Sequence, residues 1–267
     1  MPQREMKKYN RYKIAVFFMA IALLVAGIFI VYLLRSRPRK PPAVIPLAEK
    51  GKIAIVLDDW GYNLRNAPLL YEIKYPLTIA VLPGLAYSRD IASKLCIRGY
   101  EVILHLPMEP YEKISLEHNT IMVSMDEAKI VDILNRDLGA IPCVKGVSNH
   151  MGSFFTENPK AMRIVFRELK KRNLYFLDSL VSSKTVGSAL AKKMGLPFAK
   201  RGVFLDNKED PDYIRNQLYH LKEQAIVYGQ AIGIGHDRKN TLQVLRELMP
   251  RFAKEGFKFV FVSELAE

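Results

Sequence analysis

One stretch of 21 residues without a charged side chain, from Ile14 to Leu34, constrains the fold of this chain more than any other feature. As an α-helix it would be about 30 Å long, which matches the hydrocarbon core of a bilayer. Basic residues flank it on both sides, and Tyr12 and Tyr32 lie near its ends, where aromatic rings favour the membrane interface. We therefore predict a transmembrane anchor over residues 14–34.

Two other interpretations of this stretch remain open. A cleaved signal peptide usually has a shorter apolar region followed by small residues, whereas this run passes directly into Arg35-Ser36-Arg37. A buried helix of a soluble domain is the other. Five basic residues precede the stretch and four follow it, a slight bias towards a cytoplasmic N-terminus. The predicted location is therefore the inner (cytoplasmic) membrane, crossed once, with the globular part outside the cytoplasm.

The positive charge is concentrated at the N-terminus. The net charge is +13, of which residues 1–40 contribute +8 (nine basic, one acidic) and the remaining 227 residues only +5 (31 basic, 26 acidic). A nucleic-acid-binding domain usually carries its basic residues on the folded body, so we predict no nucleic-acid partner. The predicted segments are a basic tail (1–13), the anchor (14–34), a linker rich in Pro and Arg (35–48) and a globular domain (49–267).

Short apolar runs alternate with segments of helical period throughout the globular domain. Runs such as IAIVL and FKFVFV are apolar at nearly every position, which is typical of parallel strands buried on both faces. Seven or eight strand–helix units in about 220 residues favour a barrel over an open sheet. We predict an α/β fold, a distorted (β/α) barrel of about seven strands preceded by the N-terminal transmembrane helix.

Polar residues come where the apolar runs end. The carboxyl ends of parallel strands form the active-site face of such folds. Six runs are followed by Asp58-Asp59, His105, Asn149-His150, Asp178-Ser179, Asp206-Asn207 and His236. A single Asp after a strand is often just a helix cap, but six such ends with three histidines favour a site.

Asp58-Asp59 is the most informative pair. Adjacent carboxylates repel each other, so one of them usually needs a cation or a proton. Asp59, His105 and His150 form a ligand set for a divalent metal, zinc by its composition, and three protein ligands leave room for water. Asp58 is then the base and His236 the acid that protonates the leaving group.

The remaining candidates have less specific signals. Glu109 is a weaker candidate ligand, four residues beyond His105. Cys96 and Cys143 could pair outside the cytoplasm, but two separate buried thiols are the preferred interpretation. Residues at the strand ends are predicted to contact the substrate, namely Trp60, Asn149, Asp178, Ser179 and Asp206.

Six segments together resemble the divergent polysaccharide deacetylase family. They occur in order over roughly residues 50–265: KIAIVLDDWG, PLTIAVLPG, GYEVILHLPMEP, GVSNHMGSFFT, YFLDSLVSSKT and AIGIGH. The resemblance implies a distorted (β/α) barrel. It also implies removal of N- or O-acetyl groups from carbohydrates with a divalent metal, often zinc.

The resemblance to the wider superfamily differs from motif to motif. The first motif of the superfamily consists of a base followed by a metal ligand, and Asp58 and Asp59 match it. The Leu-x-His motif supplies the acid, and Ile234-Gly235-His236 resembles it. The superfamily's His-x-x-x-His motif has His105 at the first position but Glu109 at the second, so His150 is the preferred substitute. The Arg-x-Pro-Tyr motif has no clear counterpart, and Asp178-Ser179 corresponds loosely to a later Asp motif.

The predicted function is a membrane-anchored, metal-dependent deacetylase that acts on an acetylated envelope polysaccharide. One alternative is a catalytically inactive barrel that binds glycan or a cell-wall enzyme, which the altered second motif favours. Another is a glycoside hydrolase in which Asp58 and either Asp178 or Asp206 lie about 5–10 Å apart across the sugar. That alternative leaves the histidines without a role.

Overall fold

The computed structural model describes residues 3–36 and 49–267 and separates into two compact units, Met1–Pro46 and Leu47–Glu267. The first contains one helix, α1 (Gln3–Arg35). Within the described part of the chain, its portion Asn10–Arg35 is the one helix long and apolar enough to cross a membrane, with a mean hydropathy of 3.1. From residue 37 onward the predicted linker lies outside the described residues.

The second unit alternates strands with helices, as predicted. Its elements are β1 (Gly51–Trp60), α2 (Ala67–Glu72), β2 (Thr78–Val81), α3 (Ser88–Ile97), β3 (Glu101–Met108), α4 (Glu127–Ala140), β4 (Gly146–Met151), α5 (Pro159–Lys171), β5 (Tyr175–Asp178), α6 (Gly187–Met194), β6 (Phe198–Lys200), β7 (Val203–Phe204), α7 (Pro211–Tyr228), β8 (Gln230–His236), α8 (Lys239–Lys254) and β9 (Phe257–Val260). The sequence pattern missed α2 and β6, which have six and three residues, because such short segments show no measurable period.

All strand pairs are parallel, and the sheet curls into a half-barrel. The order is β6-β5-β4-β3-β2-β1-β8-β7, so the path of paired strands ends at β6 on one side and at β7 on the other. β1 lies at the centre: it pairs with β8 along one edge, and with β9 and then β2 along the other. The predicted barrel-like α/β fold is confirmed, with nine strands rather than about seven.

Both faces of the sheet are buried, which explains the unbroken apolar runs. In β1, Ile53, Ile55 and Leu57 pack under the helices, whereas Ala54 and Val56 belong to a smaller apolar cluster. A strand that is buried on both faces is apolar at successive positions, so its side chains do not alternate between apolar and polar. The polar side chains of β1 therefore lie near its two ends, with Lys52 at the start and Asp58 and Asp59 at the finish.

A disulfide joins Cys96, in the last turn of α3, to Cys143, in the loop before β4, with the Cα atoms 6.5 Å apart. The preference for two separate thiols is therefore wrong. The two cysteines are 47 residues apart in sequence, and they meet because α3 leads into β3, which is the direct neighbour of β4 in the sheet. The spacing of the two cysteines in the sequence does not show that β3 and β4 are adjacent strands.

Removing the disulfide should destabilise the domain. Closing a loop of 47 residues restricts the unfolded chain, so the Cys96→Ser/Cys143→Ser variant should lose about 2–4 kcal/mol of unfolding free energy. Urea denaturation of the oxidised protein measures the difference. Wild-type protein with a reductant should fall to the stability of the variant. Equal stability of oxidised wild type and variant would contradict the bridge.

A second stability prediction concerns Asp137 on α4. Its carboxyl is 1% exposed and accepts a hydrogen bond of 3.1 Å from Asn119 Nδ2, while Oδ2 has no partner among the described residues. Burial raises the pKa of Asp137 to about 6. The folded protein thus holds this proton more tightly than the unfolded chain, so stability should fall as the pH rises from about 4 to about 6.

The Asp137→Asn variant should therefore be more stable than wild type by about 1–2 kcal/mol at neutral pH. The difference should vanish near pH 3.5, where both states of wild type are protonated. Urea denaturation at the two pH values measures it. Asp132→Asn, at an exposed position of the same helix, is the matched control and should change stability by less than about 0.5 kcal/mol. A pH-independent gain at Asp137 would refute the raised pKa.

Candidate metal centre

A bulge in β1 directs two consecutive carboxylates to one place. Leu57 pairs with Ile79 and Trp60 with Val81, so β1 advances three residues while β2 advances two. Successive side chains of a regular strand point to opposite faces, and an extra residue breaks that alternation. Asp59 occupies the extra position with φ +64°, a left-handed conformation that Asp tolerates better than most residues. As a result, both Asp58 and Asp59 reach His105.

Three potential metal ligands converge at this point. Asp59 Oδ1 lies 3.3 Å from His105 Nε2 and 3.0 Å from His150 Nδ1, and the three ligand atoms all lie within 4.8 Å of one another. Neighbouring strands supply the two histidines, because His105 lies on β3 and His150 on β4. Their rings meet edge to face, 4.9 Å apart. The structure thus brings together the three residues that the sequence suggested as ligands.

The cluster fits a divalent cation. The buried oxygen Asp58 Oδ1 has no hydrogen-bond partner among the described residues, and Asp59 Oδ1 has only the nitrogens of His105 and His150 beside it. Buried carboxylate oxygens without a partner are costly, and a cation would satisfy them. One carboxylate and two imidazoles are ligands that zinc accepts. The side chain of Asp59 is 30% exposed, which leaves access from solvent.

The buried hydroxyl of Ser148 holds His105 in place, and the buried amide of Asn149 connects the loops beside it. His105 Nδ1 forms a hydrogen bond of 2.8 Å with the hydroxyl of Ser148, which leaves Nε2 facing Asp59. Asn149 donates to the Met151 carbonyl and accepts from the Ser179 amide, at 2.7 and 2.9 Å. Such outer hydrogen bonds fix the orientation of metal-ligating histidines.

The pKa values of Asp58 and Asp59 are shifted in opposite directions. Burial opposes ionisation of Asp59, but its close contacts with His105 and His150 outweigh burial and hold the pKa well below its usual range. Burial dominates for Asp58 and raises its pKa, and the charge of His105 opposes this only in part. Asp59 is therefore suited to binding a cation, and Asp58 is the more basic of the two.

A third histidine faces the cluster from β8. His236 pairs with Asp58 in the register of the parallel strands, and its Nε2 lies 3.8 Å from Asp59 Oδ2. Its Nδ1 forms a hydrogen bond of 2.8 Å with Asp206 Oδ1, and the other oxygen of Asp206 accepts from the Thr241 hydroxyl. Burial alone would lower the pKa of His236, but the Asp206 carboxylate outweighs it and raises the pKa.

The predicted substrate contacts are buried in the structure. All five residues are at most 3% exposed, the same range as Asp58 and His105 of the cluster: Trp60, Asn149, Asp178, Ser179 and Asp206. Trp60 follows the bulge and packs in the main apolar core. The polar residues instead connect the loops that surround the site to one another. Strand-end position predicts that these residues lie at one end of the barrel, but it does not distinguish a buried supporting residue from an exposed one.

Asp178 and Glu109 have structural contacts. Asp178 accepts hydrogen bonds from the Leu180 amide and the Thr185 hydroxyl, at 2.8 and 2.7 Å. Glu109, the weaker candidate ligand, accepts from the backbone amide of Val123 at 2.7 Å and lies outside the cluster of three ligands. Each carboxylate fixes a loop rather than joining the cluster.

The sequence pattern did not identify two residues near the site, Arg201 and Phe204. Arg201 donates to the carbonyls of Ser179 and Leu180 at 2.6 and 2.9 Å. Burial lowers the pKa of its guanidinium, and the charges of Asp178 and Asp58 oppose this only in part. Its guanidinium lies 4.8 Å from the centre of the Phe204 ring, which is 5.2 Å from the ring of His236. Arg201 follows the three-residue strand β6, which is too short to detect from sequence.

The curled parallel sheet and the Asp/His/His cluster at its carboxyl ends define a barrel of the polysaccharide deacetylase class. Residues 55–266 match the divergent polysaccharide deacetylase family, and the chain belongs to that family. The predicted family is thus confirmed.

Two bacterial relatives share this region. The uncharacterized protein YibQ of Escherichia coli K12 is 37% identical over 199 residues, which cover 74% of this chain and 62% of the relative. An uncharacterized protein of Haemophilus influenzae Rd is 30% identical over 197 residues, which cover 74% of this chain and 70% of the relative. The chain therefore matches less than two thirds of the length of the Escherichia coli protein.

Solved structures share the fold. The crystal structure of an uncharacterized protein from Agrobacterium tumefaciens C58 has a TM-score of 0.78 at 24% identity, covering 86% of this chain and 92% of that one. A family 4 carbohydrate esterase from Streptomyces lividans, in complex with acetate, has a TM-score of 0.53 at 15% identity, with coverage of 82% and 97%. A family 4 pseudoenzyme from Bacillus anthracis has a TM-score of 0.51 at 15% identity, with coverage of 82% and 66%. The shared fold therefore includes both active and inactive proteins.

The ligand cluster predicts the metal content of the purified protein. Elemental mass spectrometry should find about one zinc per chain after reconstitution, and His105→Ala or His150→Ala should lower this at least about tenfold because each removes a ligand. His220→Ala, at an exposed histidine on α7, is the matched control and should keep the metal. Glu109→Gln should keep it as well. Metal loss in Glu109→Gln, or its retention in His150→Ala, would contradict this ligand set.

Proposed function

We propose that the protein is a metal-dependent carbohydrate deacetylase that removes N- or O-acetyl groups from an envelope polysaccharide. The observation that carries this proposal is the convergence of Asp59, His105 and His150 beside a more basic carboxyl, Asp58, and a histidine paired with a buried carboxylate, His236. A ligand set, a base and an acid are the groups that hydrolysis of an acetyl amide or ester requires.

Each residue has a distinct role in this proposal. Asp59, His105 and His150 hold a divalent metal, zinc by the composition of the set, which when bound polarises the acetyl carbonyl and acidifies water. Asp58, whose pKa burial raises, accepts the proton of the attacking water. His236 protonates the leaving amine or alkoxide as the C–N or C–O bond breaks, which releases acetate. Asp206 orients the imidazole for that transfer.

The location is part of the proposal. The apolar helix at Asn10–Arg35 supports a single membrane anchor, and the disulfide Cys96–Cys143 supports an oxidising compartment outside the cytoplasm. Together they favour the inner membrane as the site of attachment, with the barrel on its outer side. An enzyme on the outer side of the inner membrane would have access to acetylated envelope polysaccharides, which is why we propose them as the substrate class.

The glycoside hydrolase alternative has little support in the geometry. Asp178 and Asp206 are 1% and 0% exposed, and internal hydrogen bonds hold both carboxylates. Neither is therefore available as the second carboxylate that would flank a sugar. The histidines, by contrast, have a role only in the deacetylase proposal.

Acetate release from acetylated amino-sugar oligomers and O-acetylated polysaccharide tests the proposal. Asp58→Asn and His236→Ala should each lower kcat about 10²–10⁴-fold while the metal content stays near one per chain, because they remove proton transfer rather than binding. Asp132→Asn and His220→Ala, at exposed positions, should retain full activity.

Two outcomes would contradict this mechanism. Wild-type activity in Asp58→Asn would exclude Asp58 as the base. A folded, zinc-loaded wild-type protein that releases no acetate from the whole panel, but binds glycan in a pull-down, would establish the inactive barrel instead. Loss of metal in the Asp58 or His236 variant would show that these residues act as ligands.

A further inference from the structure

A groove lies at the end of the barrel where the strands begin, opposite the candidate metal centre. Two cavities of about 520 and 480 Å³ share three lining residues, Gly99, Tyr100 and Phe261, so they adjoin each other and form one groove. Tyr100 directly precedes β3, and Lys145, which lines the second cavity, directly precedes β4. The groove is thus separate from the Asp/His/His cluster, whose histidines lie towards the carboxyl ends of the same two strands.

Aromatic rings line the first cavity. Tyr71, Tyr75, Tyr100 and Phe261 belong to its wall, and each of them is partly buried. The ring centres of Tyr71 and Tyr100 lie 6.4 Å apart, and the ring of Tyr75 packs 5.2 Å from that of Phe259. Anchored rings of this kind offer apolar surface that loses little conformational entropy when a ligand covers it.

The groove carries a net positive charge. Three basic residues line it, Lys74, Arg98 and Lys145, against one acidic residue, Glu101. Glu101 is 6% exposed, and one oxygen of its carboxylate accepts hydrogen bonds of 2.8 and 2.9 Å from hydroxyls inside the barrel. The three cations are exposed, and among the described residues no carboxylate forms an ion pair with them. Their charge is therefore available to an anionic ligand.

The disulfide links the two segments that carry Arg98 and Lys145. Arg98 comes two residues after Cys96, and Lys145 comes two residues after Cys143. Because the Cα atoms of the cysteines are 6.5 Å apart and covalently connected, these segments cannot separate. Both cysteines also line the second cavity. A covalent link thus keeps two like charges on the wall of one groove, an arrangement that an anionic ligand stabilises.

We propose that this groove binds an acidic peptide segment of a partner protein. We call it the aromatic groove and define it by Tyr71, Tyr75, Tyr100 and Phe261 with Lys74, Arg98 and Lys145. Aromatic side chains of the peptide pack on the tyrosine rings, and its carboxylates pair with the arginine and the lysines. This binding does not depend on the proposed deacetylase activity.

The chemistry of the lining favours a peptide over a glycan. Sugar hydroxyls need side-chain acceptors as well as donors, and among the described residues that line the groove there is no Asn, Gln, Asp or His. Tyrosine and arginine, by contrast, are enriched among the residues that dominate protein–protein binding. Because cations line both cavities, the ligand is an extended chain with acidic residues at intervals rather than one compact anion.

Fluorescence anisotropy of the full-length protein in a neutral detergent tests the proposal. The probe is a peptide of alternating Glu and Tyr residues with an uncharged fluorophore. We expect saturable binding with a Kd below about 1 mM. A Glu-Gly peptide, which lacks the rings, and a Lys-Tyr peptide, which reverses the charge, should each bind at least about tenfold more weakly.

Charge reversal in the groove should have the same effect. Arg98→Glu/Lys145→Glu should weaken binding of the Glu-Tyr peptide at least about tenfold. Lys192→Glu/Lys254→Glu is the matched control, because it changes the net charge equally at exposed lysines outside the groove, and it should stay within about twofold of wild type. Lys145→Gln, which introduces no new charge, should weaken binding at least about threefold, and it serves if the double variant fails to fold.

Several results would overturn the proposal. Absence of binding up to about 1 mM would do so, as would equal binding of the Lys-Tyr peptide. Unchanged affinity in a folded Arg98→Glu/Lys145→Glu variant would place the peptide elsewhere on the protein. Displacement of the peptide by polygalacturonate at equal carboxylate concentration would make the groove a glycan site. Self-association of the protein that the same variant abolishes would show that a second copy of the chain covers the groove.

Discussion

The close approach of two consecutive carboxylates, Asp58 and Asp59, is the constraint on which the rest of the site depends. A regular strand would separate them onto opposite faces, and the bulge in β1 instead directs both towards His105. Two buried negative charges in contact are unfavourable unless positive groups or hydrogen bonds surround them. The surrounding strands supply that compensation, because β3 and β4 contribute one imidazole each and β8 contributes a third.

Rigidity is the second property of this end of the barrel. Three of the non-glycine residues with positive φ lie here: Asp59 is a candidate ligand, Met151 follows the candidate ligand His150, and Leu180 follows the supporting residue Ser179. Backbone strain of this kind persists only where the surroundings enforce it. Here the enforcing contacts are the hydrogen bonds of Asn149, Ser179 and Asp178. These hydrogen bonds offset the free energy of the strained backbone, as is expected of a site whose ligands must stay in fixed positions.

Parallel topology explains why the barrel has two different ends. All strands run in the same direction, so the helices that connect them all end at the opposite end of the barrel from the site. Carboxylates collect where strands end and helices begin, and cations where helices end, in line with the helix dipole. The disulfide Cys96–Cys143 ties together two helix-to-strand connections at the basic end. The candidate metal centre thus lies at the end where the strands finish, away from these helix ends.

The sequence by itself determined the apolar helix, the parallel α/β class, the family and the set of strand-end residues. The helix, the class and the strand ends depend on local period and residue type, and the family on the resemblance of six ordered segments, all of which a chain shows without its fold. Only the tertiary structure decided that Trp60 is buried, that Arg201 and Phe204 approach the site, and that Cys96 meets Cys143. The physical reason is that direction and burial depend on register and on neighbours distant in sequence. A single extra residue in β1 changes where every later side chain of that strand points.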